Sequence, residues 1–292
     1  MSGSSGRRLV VGIALALAPW CLAPRAVAQM KLPQESPAAT LALDVGVTTL
    51  TVAYHRPALR GRDPWQELGD TQVWRLGANE ATTLTVTDPV SIGGTSVPAG
   101  TYALFAKVGK ESWTLLLNKV AQQWGSYFYD PKQDLLRLEL KVAHVPNDAR
   151  REWFTLALDP VGRDGAELTV LWDDVKVVVP MKVDVDAIVA KRIEAALKNR
   201  APKDWQTLLQ VAQYWCKKKE QLDVALDLID QALALEENAW TCEWKGRILH
   251  EQGDVEPAIP LVEKALELSK GTNFPEGYRE GLRTLLKQWK DG

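Results

Sequence analysis

The sequence is poor in the side chains that most often carry out chemistry. It has three cysteines and three histidines in 292 residues, and its formal net charge is only −2. His55, His144 and His250 stand far apart and belong to no cluster with metal-ligand spacing. No G-x-S-x-G, P-loop or G-x-G-x-x-G motif occurs either. We therefore expect no metal and no cofactor, and these patterns predict no particular enzyme.

Long apolar runs are missing except near the N-terminus. Arg7 and Arg8 precede the apolar run Leu9 to Ala18, and Ala26-Val27-Ala28 forms an A-x-A cleavage site. This order is typical of a signal peptide spanning residues 1–28, with twin-arginine export as an alternative route. The run is short for a membrane span. We expect an exported protein, periplasmic or secreted, that begins at Gln29 and has no membrane span after cleavage.

Strong charge is absent as well. Residues 1–28 carry three arginines and no acids or lysines, so their removal takes the formal charge from −2 to −5. A mildly acidic protein is a poor partner for nucleic acid or an anionic membrane. Cys21 would leave with the signal peptide, and Cys216 and Cys242 would remain. Export permits a disulfide between them, and the alternative is two separate buried hydrophobic side chains.

The region from residue 40 to 183 has the two-residue period of β-strands. Leu41 to Val45 and Leu50 to Tyr54 alternate, and Gly93-Gly94 is typical of a two-residue hairpin turn. Further predicted strands are Leu84 to Val90, Tyr102 to Val108, Trp113 to Leu117, Leu135 to Val142, Trp153 to Leu158, Leu168 to Trp172 and Val175 to Val183. About nine or ten strands with no convincing helix between them predict an antiparallel sandwich or barrel. Residues 29–39 read as an extended leader.

After Val183 the period becomes helical, and residues 187–290 contain an internal repeat. Ala225 and Ala232 in one copy correspond to Ala258 and Ala265 in the next, at a spacing of 33 residues. Small residues at these points let paired helices approach closely, and the pattern resembles tetratricopeptide repeats of about 34 residues. Gly246 matches the glycine of the first helix, Gly253 falls in the inter-helix turn, and the first copy departs from the pattern at Gln213. A terminal capping helix is expected from Pro275 to Lys290.

The usual work of such repeats is to bind a protein or peptide partner. The tryptophans Trp205, Trp215, Trp240 and Trp244 could line a concave groove for it, and the alternative is that some of them form the inter-helix core.

The most polar stretch between predicted buried strands is the segment from Trp74 to Thr83. Arg75 offers a fork of donors, Glu80 two acceptors, Asn79 both, and Trp74 a stacking face. This set can hold a sugar, a carboxylate or a peptide end. The alternative is a structural tie in which Arg75 or Arg56 forms an ion pair with Glu80 and Asn79 caps a turn at positive φ.

Two neighbouring stretches could complete such a site. Tyr54 and Arg56 end a predicted strand, and Arg60 and Arg62 follow in one short loop that could form an anion pocket or simply be solvated. Trp124 begins the aromatic run Trp124-Gly125-Ser126-Tyr127-Phe128-Tyr129. This run could stack on a ligand, or it could cover one end of the sandwich as a core plug.

Several motifs, taken together, resemble a known family. They are Ser36-Pro37-Ala38-Ala39, Tyr54-x-Arg56-Pro57, Arg60-Gly61-Arg62, Trp74-Arg75-x-Gly77-Ala78-Asn79-Glu80-Ala81-Thr82, Pro98-Ala99-Gly100-Thr101-Tyr102 and Trp124-Gly125. Their order is similar to that of the bacterial exported domain-of-unknown-function family 2911, over about residues 33–183. The resemblance implies export, a β-fold and a domain boundary, and it implies no chemistry.

Three functional hypotheses follow. The first is an exported, non-enzymatic binding protein whose β-domain holds a small polar ligand or glycan and whose helical repeats hold a protein partner. The second is a hydrolase of envelope polysaccharide or peptide, in which Glu80 works with Asp63, Asp70 or Asp88. The third is a structural β-domain with all recognition in the helical repeats.

Overall fold

A computed structural model describes residues 32–69, 72–270 and 274–291. The expected signal peptide and its cleavage site lie outside these residues. The described chain forms an antiparallel β-sheet domain followed by a helical region, as the sequence predicts. Strand pairing begins at Ala38, so the expected extended leader overlaps the first strand.

The sheet domain is built from two antiparallel sheets that pack face to face as a sandwich. The first sheet contains β1 (Ala38–Val45), β2 (Thr48–His55), β3 (Val73–Trp74), β4 (Thr82–Val86), β7 (Gly100–Lys107), β8 (Ser112–Asn118) and β9 (Asp134–Lys141). The second contains β5 (Val90–Ile92), β6 (Thr95–Val97), β10 (Ala143–His144), β11 (Arg151–Val161), β12 (Gly165–Asp173) and β13 (Val175–Val183). In the first sheet the strand order is β1-β2-β4-β7-β8-β9, with β3 beside β7, and in the second it is β11-β12-β13-β5-β6, with β10 beside β13.

The alternation of the sequence decides which side chains fill the space between the sheets. Leu50, Val52 and Tyr54 of β2 are buried, whereas Ala53 between them is exposed on the outer face. The predicted hairpin is confirmed, because Gly93 and Gly94 have φ values of 55° and 88° and connect Ile92 to Thr95. These positive φ values are those that a two-residue hairpin turn requires.

Two details of the strand prediction are wrong. The stretch from Leu84 to Val90 is not one strand, because the chain leaves the first sheet after Val86 and enters the second at Val90. Pro89 lies in this crossing and cannot donate to a sheet. A short helix, α1 (Pro64–Leu68), also interrupts the strands; Asp63 caps it and proline occupies its first position.

Six further helices follow the sandwich in the described residues. They are α2 (Val185–Asn199), α3 (Trp205–Lys218), α4 (Leu222–Leu235), α5 (Ala239–Gln252), α6 (Val255–Leu268) and α7 (Glu276–Asp291). α3 packs against α4, and α5 packs against α6. In the described part of the chain, no helix combines the length and the apolarity that crossing a membrane would require.

The small residues of the internal repeat lie where the helices come closest. Ala225, Ala232, Ala258 and Ala265 are fully buried. A side chain at Gly246 would place its Cβ 2.8 Å from Val262 Cγ2 and 2.9 Å from the Ala258 carbonyl. Close approach of the paired helices therefore requires glycine at this position.

The two cysteines of the helical region serve as small hydrophobic side chains. Both are free and buried, and burial raises the pKa of each thiol. Cys216 belongs to the cluster around α3 and α4, whereas Cys242 packs with Val262, Leu282 and other residues of α6 and α7. The disulfide alternative is therefore wrong.

Helix α2 joins the sandwich to the other helices. Its Ile188 is buried in the sandwich core, while Ile193 and Leu197 pack on the cluster around α3 and α4. Asp186 forms ion pairs with Arg163 of the β11–β12 turn, at 2.7 Å, and with Lys218 of α3, at 3.0 Å. Helix α2 is thus held by both the sandwich and the helical region.

A second contact between α2 and the sandwich predicts that the stability of the fold falls at acid pH. Asp88 accepts hydrogen bonds from Thr48, Thr87 and Arg192 of α2, at 3.0, 3.1 and 2.7 Å. Burial alone would raise its pKa, but these hydrogen bonds outweigh burial and hold the pKa below its ordinary value. A carboxyl group whose pKa is lower in the folded state stabilises the fold above its unfolded pKa of about 3.9, and that stabilisation is lost as pH falls below it.

We therefore expect Asp88→Asn to destabilise the protein by roughly 1 kcal/mol at neutral pH and to lose less further stability than wild type below about pH 4. Urea unfolding at several pH values measures both effects. Asp159→Asn, which alters an exposed carboxylate of β11, is the matched control. If the free energies of unfolding of wild type and Asp88→Asn change with pH in parallel, the Asp88 contact does not have this role.

Candidate functional site

The polar segment after Trp74 forms a tight loop that bonds to itself. The Trp74 indole donates to the Gly77 carbonyl at 3.1 Å, and the Thr82 hydroxyl donates to the Leu76 carbonyl at 2.5 Å. Gly77 has a φ of 152°, and a Cβ there would lie 2.9 Å from the His55 carbonyl. Glycine is therefore needed for the loop to approach the end of β2.

The loop pairs with the aromatic segment that follows β8. Asn79 has a φ of 56°, as predicted for a turn, and its carbonyl accepts from Arg75 Nη1 at 2.9 Å and from the Gly125 amide at 3.0 Å. The Ala81 amide donates to the Gln123 carbonyl at 2.9 Å. Glu80 and Trp124 thereby face each other as an antiparallel bridge.

Beside this bridge lies an open groove on the outer face of the first sheet. Its volume is about 490 Å³. Small side chains from β1, β2 and β4 line it, including Ala38, Thr40, Ala53 and Thr83. Glu80, Gln123 and Trp124 line it as well. We call this feature the outer groove.

The polar pair of the outer groove consists of His55 and Glu80. His55 Nδ1 lies 3.4 Å from Glu80 Oε2, and the Glu80 side chain is 53% exposed. The predicted ion pair of Glu80 with Arg56 or Arg75 is wrong in the described structure, because Arg75 bonds to the Asn79 carbonyl and Arg56 bonds elsewhere. Glu80 thus keeps acceptor capacity toward solvent.

Gln123 brings a second polar group to the outer groove. Gln123 is buried, with a relative exposure of 7%. Its amide nitrogen donates to the Val120 carbonyl at 2.6 Å and to Asn118 Oδ1 at 3.4 Å, which fixes the orientation of the amide. Its Oε1 atom has no hydrogen-bond donor among the described residues. A shielded acceptor of this kind normally receives a donor from water or from a ligand.

The aromatic run divides between two roles. Tyr129 packs on Phe105 at 5.2 Å and forms part of a small cluster on the outer face of β7 and β8, as the core-plug alternative predicts. That alternative is wrong for Trp124, Tyr127 and Phe128, whose relative exposures are 52%, 78% and 77%. These three rings are open to solvent, and Trp124 lines the outer groove.

Three of the predicted ligand-binding residues make contacts within the sandwich. Tyr54 and Trp74 are buried, and the Tyr54 hydroxyl bonds to the Leu156 backbone of the opposite sheet. Arg56 also joins the sheets, through the Phe154 carbonyl at 3.0 Å and the Thr155 hydroxyl at 2.9 Å. Tyr54 still contributes to the lining of the outer groove, whereas Arg56 and Trp74 do not line it.

The other two arginines do not form an anion pocket with Arg56. The Arg62 guanidinium donates to the carbonyls of Ala58 and Leu59 and pairs with Glu67. Arg60 is exposed, and its backbone amide donates to Glu152. Since the donors of Arg56 and Arg62 are directed at different protein oxygens, the three side chains do not converge on one ligand.

Two of the three acids proposed to work with Glu80 have other partners in the described structure. Asp63 accepts from the Trp65 and Gln66 amides as the cap of α1, and Asp88 pairs with Arg192. Asp70 lies outside the described residues. Among the residues that the structure describes, no three potential ligands are grouped to hold a metal ion.

The four tryptophans of the helical region also divide between core and surface. Trp205, Trp215 and Trp244 are partly buried and pack on the cluster around α3 and α4. Trp240 is 44% exposed and contacts the rings of Trp205 and Phe274, with centroids 6.3 and 4.8 Å apart. Three of the four tryptophans thus pack on the inter-helix core, and Trp240 remains accessible.

Sequence reasoning missed His55 as part of the site, Gln123, and the small residues of the floor. The alternation of β1 and β2 places Ala38, Thr40 and Ala53 on the outer face, which is a usable signal. No local signal predicts that Gln123 lies beside Glu80, because the bridge joins segments about 40 residues apart in sequence.

The fold and the groove define a two-sheet β-domain with an open site on one face, continued by paired helices. Residues 36–181 match the family model described as "Protein of unknown function (DUF2911)", which is half of the chain. The chain belongs to this family, as its motifs predict, and the match includes the lining of the outer groove. No curated protein and no solved structure matches the chain.

Proposed function

We propose that this chain is an exported binding protein whose outer groove holds a glycan or another small polar ligand. The exposed Trp124 ring beside a polar, small-residue floor is the observation that carries the proposal. An indole face can stack on a sugar ring, and a floor of alanine and threonine leaves room for it. The Glu80 carboxylate and the shielded Gln123 Oε1 are both acceptors, which suits a ligand rich in hydroxyl or amide donors.

The helical region is proposed to hold a protein partner through tetratricopeptide-like repeats. The spacing of 33 residues, the buried alanines and the helix pairs support this assignment. Trp240 supports a role in recognition, since its exposed ring continues a row of aromatic contacts from Trp205 to Phe274. Aromatic side chains of this kind often dominate protein interfaces.

The glycan proposal is tested by calorimetric titration with N-acetylglucosamine oligomers and soluble peptidoglycan fragments. We expect Trp124→Ala to weaken binding roughly 10- to 100-fold, because loss of the ring contact should cost about 1.4–2.7 kcal/mol. Trp153→Ala is the matched control, since Trp153 is also a partly exposed indole, at 40%, but does not line the outer groove. An equal loss in both variants, or no binding to either class of saccharide, would contradict the proposal.

The same saccharides test the hydrolase alternative, and a deletion tests the structural alternative. Product release from these saccharides that disappears in Glu80→Gln would favour hydrolysis, whereas binding without turnover favours the binding protein. Capture of a periplasmic partner that survives deletion of residues 187–290 would exclude the reading in which the helical repeats carry all recognition.

A further inference from the structure

A second cavity lies at one end of the sandwich. Its volume is about 750 Å³, and it is lined by residues of α1, the β7–β8 turn, β8, β10 and β13. The indoles of Trp65 and Trp113 lie with their centroids 5.3 Å apart at this cavity. Val108, Val142 and Val175 add further apolar lining. We call this feature the end cavity; it shares no lining residue with the outer groove.

The indole of Trp65, a residue that lines the end cavity, has an unused donor. Its Nε1 atom is shielded from solvent and has no acceptor among the described residues. Other indoles of the same aromatic cluster are paired: Trp74 donates to the Gly77 carbonyl and Trp172 to the Glu152 carbonyl. Shielded polar groups are nearly always hydrogen-bonded. A ligand or a water molecule could therefore supply the acceptor that the Trp65 N–H lacks in the described protein.

The charged side chains of the end cavity include one cation that forms no ion pair in the described structure. Lys110 lines the cavity, is exposed, and forms no ion pair with any residue that the structure describes. His144 also lines it, and its Nδ1 lies 2.9 Å from Asp174. The one carboxylate in the lining, Asp63, already accepts two backbone amides as the cap of α1. The free cation is therefore Lys110.

We propose that the end cavity binds a small amphipathic carboxylate. The apolar body of the ligand packs on Trp65, Trp113 and the valines, and the carboxylate is attracted by Lys110 and accepts from the Trp65 indole. This occupant matches the cavity in three independent respects: apolar surface, an unused donor and a free positive charge. The site is separate from the proposed glycan site, so either can fail without the other.

The experiment uses octanoate as the probe, with octanol and octylamine as its neutral and cationic counterparts. Titration of the full chain is followed by the ¹⁵N–¹H signals of the tryptophan indoles. The Trp65 signal is identified by its absence in Trp65→Phe. Octanoate should shift this signal saturably, since its N–H gains an acceptor, and should leave the Trp124 signal in place.

Two variants probe the two polar contacts. Lys110→Gln should weaken octanoate binding roughly 10-fold, a loss of about 1.4 kcal/mol. The matched control Lys107→Gln removes a nearby exposed lysine that does not line the cavity and should leave binding unchanged. Trp65→Phe keeps a ring but removes the N–H, and should reduce the preference for octanoate over octylamine. The unfolding curve of this variant shows whether the fold is intact.

Three outcomes overturn the proposal. They are no saturable shift of the Trp65 signal, equal affinity for octanoate and octanol with no effect of Lys110→Gln, and tighter binding of octylamine. Equal octanoate binding by Trp124→Ala and wild type supports it, because the end cavity is then independent of the outer groove.

Discussion

Trp74→Ala should lower the free energy of unfolding by about 3–5 kcal/mol, the largest effect that we expect from one substitution. The Trp74 ring lies at the centre of an aromatic cluster, stacked on Trp172 with centroids 5.7 Å apart and in edge contact with Phe154 at 5.2 Å. Its indole also holds the loop through the Gly77 carbonyl. Alanine would leave a cavity between the sheets and an unpaired carbonyl.

Urea unfolding followed by circular dichroism measures this loss. Trp124→Ala is the matched control, since the same substitution removes a half-exposed ring and should change stability by no more than about 0.5 kcal/mol. For saccharide binding we expect the opposite order, with the larger loss of affinity in Trp124→Ala. A small effect of Trp74→Ala on unfolding would mean that the aromatic cluster is not the core that its geometry indicates.

The contrast between these two tryptophans shows how far the sequence predicts the site. The sequence places Trp74, Arg75, Asn79 and Glu80 in one polar loop, and a polar loop is what the structure contains. The sequence does not show which of these side chains point into the core. Trp74 follows the pleat of β3 into the core, while Glu80 lies on the outer face beside Trp124.

The arginines show why charge patterns are ambiguous. Arg56 and Glu80 look like natural partners in sequence, but Arg56 turns to the backbone of the opposite sheet. Backbone carbonyls at strand ends are strong acceptors that a sequence does not display as charge. The choice between a carbonyl and a carboxylate is made by tertiary packing, and His55 becomes the neighbour of Glu80 instead.

The fold itself was more accessible to prediction than the site. Two-residue alternation predicts β2, and Gly93-Gly94 predicts the hairpin of β5 and β6, because each depends on local geometry alone. The five-residue helix α1 was missed although Asp63-Pro64 is a known start signal, since so short a helix shows no period. Locally encoded features are predictable, and features made by convergence of distant segments are not.

The helical region offers the second large effect, at a buried carboxylate. Glu243 of α5 is buried, accepts from the Tyr278 hydroxyl of α7 at 2.8 Å, and pairs with Arg247 at 2.7 Å. Burial, together with the negative charge of Glu243, raises the pKa of Tyr278, so the phenol stays protonated and donates. Tyr278→Phe should destabilise this region by about 2 kcal/mol, because the buried carboxylate loses one of its donors.

Hydrogen exchange of the α7 amides, together with urea unfolding, measures the Tyr278→Phe effect where it arises. The matched control is Tyr214→Phe: Tyr214 lies on α3 with its ring against Trp215, and no hydrogen bond of its hydroxyl is found within the described structure. Exchange of α7 should accelerate in Tyr278→Phe and not in Tyr214→Phe. If both variants exchange like wild type, the carboxylate is satisfied by Arg247 alone, and α7 is held by the packing of Leu282 and Leu286.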